Sequence, residues 1–222
     1  MLLLFDIDGT LTQNASREHA ASLLIALERV HGIGKPTAPF ETAGRTDLAI
    51  ARSILLNAGV SADRIDEGAE DVRQITCEEY AHRCPADLSG FLAPGAAEIV
   101  DEFAHDQRFR LALVTGNLEF VARLKLKRAG IGHYFPEGQG GFGSDHEDRA
   151  ALPPIARSRA DDHPRERTVV IGDTPRDIAC ARADGLSVVA VTTGPYARAA
   201  LSGADVVIDH LAELPDALAA LA

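Results

Sequence analysis

Leu2-Leu3-Leu4-Phe5-Asp6-Ile7-Asp8-Gly9-Thr10 runs from four apolar residues straight into two carboxylates and a glycine. An uninterrupted apolar run bounded by a turn signal reads as a strand covered on both faces, the pattern of a parallel sheet. Side chains alternate along a strand, so Asp6 and Asp8 project to the same side if the extended backbone continues to the tip. There they would be close enough to share a divalent ion. Such a pair can supply a nucleophile and a proton carrier. The same residues also suit a plain solvated strand exit, because Asp and Gly are frequent in turns.

Downstream the pattern turns helical. Ser16 to Val30 carries Ala20, Leu23, Leu24 and Leu27 at near-helical spacing. After the turn-like His31-Gly32-Ile33-Gly34-Lys35-Pro36, a second helical stretch runs from Thr46 to Ala58, and a third, richly charged, from Asp63 to about Arg83. None of these segments reads as a strand. Leu92-Ala93-Pro94-Gly95 punctuates the chain. Beyond it, helix is expected at 97–103, strand at 111–114, helix at 118–129, strand at 169–171, helix at 177–183, and strands at 188–191 and 206–208. Strands alternating with helices imply a parallel sheet with helices on both faces. The domain boundaries follow: residues 1–13 and 91–222 form one α/β core, and 14–90 form an all-helical insert. Gly138-Gln139-Gly140-Gly141-Phe142-Gly143 lacks the Gly-Lys-Ser/Thr ending of a phosphate loop and the ordered helix entry of a dinucleotide fingerprint, so it reads as a flexible loop.

In an open parallel sheet, ligands bind at the carboxyl ends of the strands. Three such ends are polar here: Asp6-Ile7-Asp8-Gly9-Thr10, Thr115-Gly116-Asn117 and Gly172-Asp173-Thr174-Pro175-Arg176-Asp177. Each alone is an ordinary loop or helix cap. Acids at the first and third ends and a hydroxyl at the second, brought to one edge of one sheet, make a site.

Composition bounds the rest. The 222 residues, 46% apolar, suffice for one core plus an insertion or for two modest domains. No run approaches the roughly 20 apolar residues of a membrane span, and the N-terminal apolar run is too short and lacks the basic flank of a signal peptide, so a cytoplasmic protein is expected. Cys77, Cys84 and Cys180 are odd in number and not spaced as metal or disulfide motifs, and are expected as free thiols. The eight histidines show no ligand spacing and read mostly as surface residues. A net charge of −11 disfavours nucleic acid and anionic membrane as partners, while a small anionic substrate remains compatible. The expected state is monomer or homodimer.

The three motifs, in this order and at these strand ends, resemble those of the haloacid dehalogenase superfamily. The resemblance is to its phosphatase branch, with a Rossmann-like core and a helical cap after the first strand, and the architecture is similar to that of phosphoglycolate phosphatases. It implies Mg2+-dependent hydrolysis of a small phosphorylated metabolite through an aspartyl-phosphate. Asp6 would then be the nucleophile. Magnesium would be held by Asp6, the backbone carbonyl of Asp8 and Asp173, with Asp177 close by or acting through water. Asp8 would protonate the leaving alcohol and later take a proton from water. Dehalogenases of the superfamily carry no acid at that position, which disfavours their reaction. Thr115 and the amides of Gly116 and Asn117 would bind phosphoryl oxygens, although Asn117 also suits a simple helix cap. The family's phosphoryl-binding lysine is not in its usual Lys-Pro context. Arg149, in Ser144-Asp145-His146-Glu147-Asp148-Arg149, is the first candidate for that cation. Lys125 is the second, and a solvent-facing or salt-bridged lysine is its plainer reading.

The insert would close over the site as a lid that reads the leaving group. In Gly44-Arg45-Thr46-Asp47, Thr46 reads as a helix N-cap, and Arg45 either points into the cleft toward an anionic group or lies on the surface. A phosphomutase of the same superfamily would share every core motif, and a catalytically silent binding module would keep the fold.

Overall fold

The computed structural model describes residues 1–34, 36 and 41–221. Lys35 of the 31–36 turn, residues 37–40 of the insert and the final residue of the core segment lie outside the described residues.

The apolar run forms strand β1 (Leu2–Phe5), flanked by β2 (Arg110–Thr115) and β4 (Thr168–Gly172). With β3 (Gly141–Phe142), β5 (Ser187–Val191) and β6 (Val206–Ile208), they make a six-stranded parallel sheet in the order β3-β2-β1-β4-β5-β6. Phe5 registers with Leu113 on one side and Ile171 on the other, so the three polar strand ends sit in line. Strand order reverses direction at β1, the switch point where an open sheet leaves a crevice for ligand.

Period-two alternation divides the strands between two cores. Leu3, Phe5, Leu111, Leu113, Val169 and Ile171 pack on one face against α4 (Ala96–Ala104), α5 (Glu119–Arg128) and α8 (Leu214–Ala220). Leu2, Leu4, Ala112, Val114 and Val170 pack on the other against α6 (Leu152–Arg159) and α7 (Pro175–Ala183). Both faces are buried, which is why β1 could be apolar at every position.

Between β1 and β2 the chain forms α1 (Arg17–His31), α2 (Asp47–Asn57) and α3 (Ala62–Arg83). Thr46 and Ser61 cap α2 and α3 through their side chains, and Gly32 closes α1 in the left-handed conformation. These helices bury their own apolar cluster, centred on Leu23, Leu27, Ile54, Leu55 and Val72. The expected helix and strand positions shift by a residue or two at their ends.

The glycine run corrects one expectation. Gly141 and Phe142 are not flexible loop but an edge strand on β2, with Phe142 fully buried. A Cβ at Gly143 would lie 2.0 Å from the Gly116 carbonyl, so glycine here allows the edge backbone to press against the second motif. All three cysteines are free. Among the described residues, no helix is long and apolar enough to cross a membrane.

Candidate active site

β1 ends at Phe5, and this changes the geometry expected of its two aspartates. Asp6 continues on the side of Leu2 and Leu4, toward α6 and α7, and is buried. Asp8, beyond the end of the extended backbone, turns away toward α5. The side chains therefore do not share one cluster, and each finds its own cation.

Arg149 is buried just before α6, and its Nη2 donates to Asp6 Oδ1 at 2.9 Å and to Asp177 Oδ1 at 2.5 Å. Lys125 is fully buried on α5, and its Nζ lies 2.7 Å from both oxygens of Asp8 and 2.8 Å from Asn117 Oδ1. The two candidate cations hold the two first-motif aspartates separately, and of the two plainer readings of Lys125 it is salt-bridged and not solvent-facing. Asn117 is not a helix cap. Its Nδ2 donates to Asp8 Oδ2 at 2.9 Å and to Thr115 Oγ1 at 3.2 Å, tying the second motif to the first.

The third motif supplies the remaining carboxylates. Asp177 forms a capping box with Thr174 at the start of α7, which fixes its rotamer and leaves Oδ1 for Arg149. Asp173 accepts from Thr10 Oγ1 at 2.9 Å through Oδ1, while its buried Oδ2 has no partner. Gly9 and Gly194 wall it in, since a Cβ would lie 2.2 Å and 1.7 Å from Oδ2, respectively.

Asp6, Asp173 and Asp177 bring carboxylate oxygens within 4.8 Å of one another. Three buried carboxylates against one guanidinium leave an excess of negative charge, which shows in their titration. Burial pushes the Asp6 carboxyl up to about 6, a rise that Arg149 limits. Burial and the neighbouring carboxylates Asp6 and Asp177 push Asp173 up to about 8. A buried carboxylate oxygen without a partner, in an all-oxygen donor set short of positive charge, suits a hard divalent cation. Asp8 goes the other way. Burial would raise it, but Lys125 outweighs burial and holds the carboxyl near 2.

Two residues that the sequence did not point to complete the frame. Asp47, at the first turn of α2, accepts from His19 Nε2 at 2.9 Å and from the Leu118 backbone N–H at 2.8 Å, immediately after the Thr115-Gly116-Asn117 loop. His19 is buried against Tyr80 and is not a surface histidine. The signal for Asp47 was its place after the Thr46 cap, in a run that drew attention for that cap and for Arg45. Arg45 itself turns onto its own helix, its Nη2 donating to Ala49 O and Ser53 Oγ at 2.7 Å each, although the residue lines the cleft. Thr46 Oγ1 donates to Glu147 O, and Arg52 Nε to both Glu147 carboxylate oxygens at 2.7 Å, so α2 is fastened to the core beside Arg149. A cavity of about 720 Å³ lies between the insert and the strand ends, and reaches Asp6, Asp8, Asp173 and Arg149.

A Rossmann-order sheet carrying a buried carboxylate cluster and two fixed cations at its switch point defines the class as an α/β protein with a charged, metal-compatible centre. A family model described as haloacid dehalogenase-like hydrolase matches residues 3–182. The chain is 31% identical over 235 residues to a phosphoglycolate phosphatase of Cupriavidus necator, covering 96% of this chain and 90% of that one. It is 27% identical over 220 residues to the phosphoglycolate phosphatase of Rhodospirillum rubrum, covering 96% and 89%. Among solved structures, a β-phosphoglucomutase of Clostridium difficile shares the fold, with a TM-score of 0.68 at 15% identity over 99% of this chain and 96% of that one. The chain belongs to the haloacid dehalogenase-like hydrolases, and it is a phosphatase.

Proposed function

We propose that the protein is a Mg2+-dependent phosphatase that hydrolyses a small phosphomonoester through a phosphoaspartate on Asp6. The unpartnered, buried Oδ2 of Asp173 beside Asp6 carries this reading, because no donor among the described residues reaches that oxygen. Asp6 and Asp173, with the Asp8 carbonyl and Asp177 nearby, would hold the ion. Bound there, it supplies positive charge that lets one anion approach another.

The chain's own groups divide the remaining work. Arg149 orients the Asp6 carboxylate and leaves a permanent positive charge beside the phosphoryl group. Thr115, with the amides of Gly116 and Asn117, would cradle the phosphoryl oxygens. Lys125 and Asn117 hold Asp8 ionised, ready to take a proton from the water that cleaves the phosphoaspartate. For the first half of the cycle Asp8 relays a proton to the leaving alcohol, and the substrate monoanion, with a second pKa of about 6, brings that proton in. Residues 14–90 act as a cap on the core of 1–13 and 91–222. The contacts of Asp47, Thr46 and Arg52 support an arrangement in which the cap stands over the site.

The test is phosphate release from a panel of phosphomonoesters, with Mg2+ or with chelator, comparing the parent chain with Asp6→Asn. Metal-dependent release that disappears in the variant, without any need for a sugar bisphosphate primer, is expected. Release that persists in Asp6→Asn would remove Asp6 as nucleophile.

A further inference from the structure

The cleft is built from two unlike halves. The core contributes Asp6, Asp8, Asp173 and Arg149, and the insert contributes two helix faces. On α1, Ala20, Leu23 and Leu24 lie at helical spacing along the cavity, and on α2 Ile50 and Ile54 stand one turn apart. Leu23, Ile50 and Ile54 are buried and belong to the apolar cluster of the insert, with Leu24 packed against it, so this wall is backed by a core and is not a loose surface patch.

Among the described residues, two insert-side arginines, Arg17 and Arg45, line the cavity. Arg45 is turned onto Ala49 and Ser53. The Arg17 side chain is 92% exposed and lies beside Glu18. Arg149 belongs to Asp6 and Asp177 on the core side. A carboxylate held between α1 and α2 would face leucine and isoleucine, with the desolvation cost that follows, and Arg17 at the rim is the insert-side charge left to answer it.

Resting on the phosphatase reading, we infer that the substrate is a phosphomonoester whose alcohol carries an uncharged, apolar portion that packs between α1 and α2. Core carboxylates and metal fix the phosphoryl end, and the apolar wall selects the alcohol. Each methylene that leaves water against this wall contributes to binding, about fourfold per group, the ratio that about 0.8 kcal/mol per buried CH2 corresponds to.

Two measurements test this on the full chain. The first is kcat/KM for n-alkyl phosphates from ethyl to hexyl and for phosphoglycolate, for the parent and for Leu24→Gln. Half-exposed Leu24 tolerates a polar group without opening the core. The second is calorimetric affinity for the matching n-alkylphosphonates, which bind without being hydrolysed and need no variant. The expected result is a rise in kcat/KM of about fourfold per methylene over at least three added methylenes, flattened in Leu24→Gln, with hexyl phosphate ahead of phosphoglycolate and phosphonate affinity rising in parallel. Phosphoglycolate turned over tenfold or more better than hexyl phosphate, or no dependence on chain length in either measurement, would overturn the inference and leave the phosphatase standing. Phosphonate binding that tightens with length in a chain that releases no phosphate from any ester would overturn the phosphatase reading and keep the apolar ligand class.

Discussion

Replacing Lys125 by Met removes the charge that holds Asp8 while keeping an unbranched side chain in a fully enclosed position. The size of the effect follows from two independent routes. Asp8 is held near 2 against an ordinary 3.8, a difference of nearly two units, and at 1.36 kcal/mol per unit its partners, Lys125 first among them, contribute about 2.5 kcal/mol at neutral pH net of the burial that opposes them. Breaking one side of a buried ion pair costs about 3–5 kcal/mol, and the 25% exposure of the Asp8 side chain places this pair at or below the lower end. Both routes give about 2–3 kcal/mol, which for a chain of this size lowers the melting midpoint by about 5–10 °C. The pH dependence has a definite sign. A carboxylate with a depressed folded-state pKa contributes stability above its unfolded value and loses it as pH falls through the folded one. The gap between parent and variant is therefore largest at neutral pH and narrows as pH falls through 5 and 3 toward the folded-state value near 2. Urea titrations of both chains at pH 7, 5 and 3 measure it. A variant as stable as the parent at pH 7, or a gap that does not narrow between pH 5 and pH 3, would refute the account of Lys125 as the partner of Asp8.

Three further outcomes are expected. In chelator, stability should fall as pH rises from about 5 to 8, because Asp6 and Asp173, whose folded-state pKa values of about 6 and 8 lie above the ordinary value, must give up protons that the folded state favours. Mg2+ should accordingly raise the melting midpoint more at pH 8 than at pH 5.5, and equal shifts at the two pH values would sink that argument. Gly194→Ala puts a methyl 1.7 Å from Asp173 Oδ2, so the Mg2+ concentration for half-maximal turnover should rise at least about tenfold, whereas Gly203→Ala, with its nearest neighbour at 3.5 Å, should leave it unchanged. Asp47→Ala strips the acceptor from the Leu118 N–H and from His19, which should cost about 1–3 kcal/mol and be read as a lower melting midpoint, and an unchanged midpoint would show that the contact carries no weight.

Much of the fold was legible because its signals are local. β1 is apolar at every position since both faces are covered, Thr46 and Ser61 announce the helices they cap, and the third motif carries its own capping box. Edge strand β3 was missed for the opposite reason. Two residues in a glycine run have no periodicity to read, and their strand character comes from pairing with β2 and from the close approach of Gly143 to Gly116. The site divides in the same way. Asp6, Asp8, Thr115 and Asp173 stand at strand ends that a sequence pattern can locate. The partner of each does not, for Lys125 lies 117 residues from Asp8 and Arg149 lies 143 residues from Asp6.

The sequence by itself determined a parallel α/β core interrupted by helices, the three polar strand ends and their acids, because hydrophobic period, caps and turn residues act within a few positions along the chain. Tertiary structure decided the charges. It ended β1 at Phe5, so that Asp6 faces Arg149 and Asp8 faces Lys125, buried Asp173 without a partner for Oδ2, placed Asp47 of the insert on the first turn of α5, and set an apolar wall against the carboxylates. The physical reason is that pKa values, ion pairs and cavity walls depend on distance and burial in space, and no spacing along the chain encodes which lysine or arginine will be the one brought into contact.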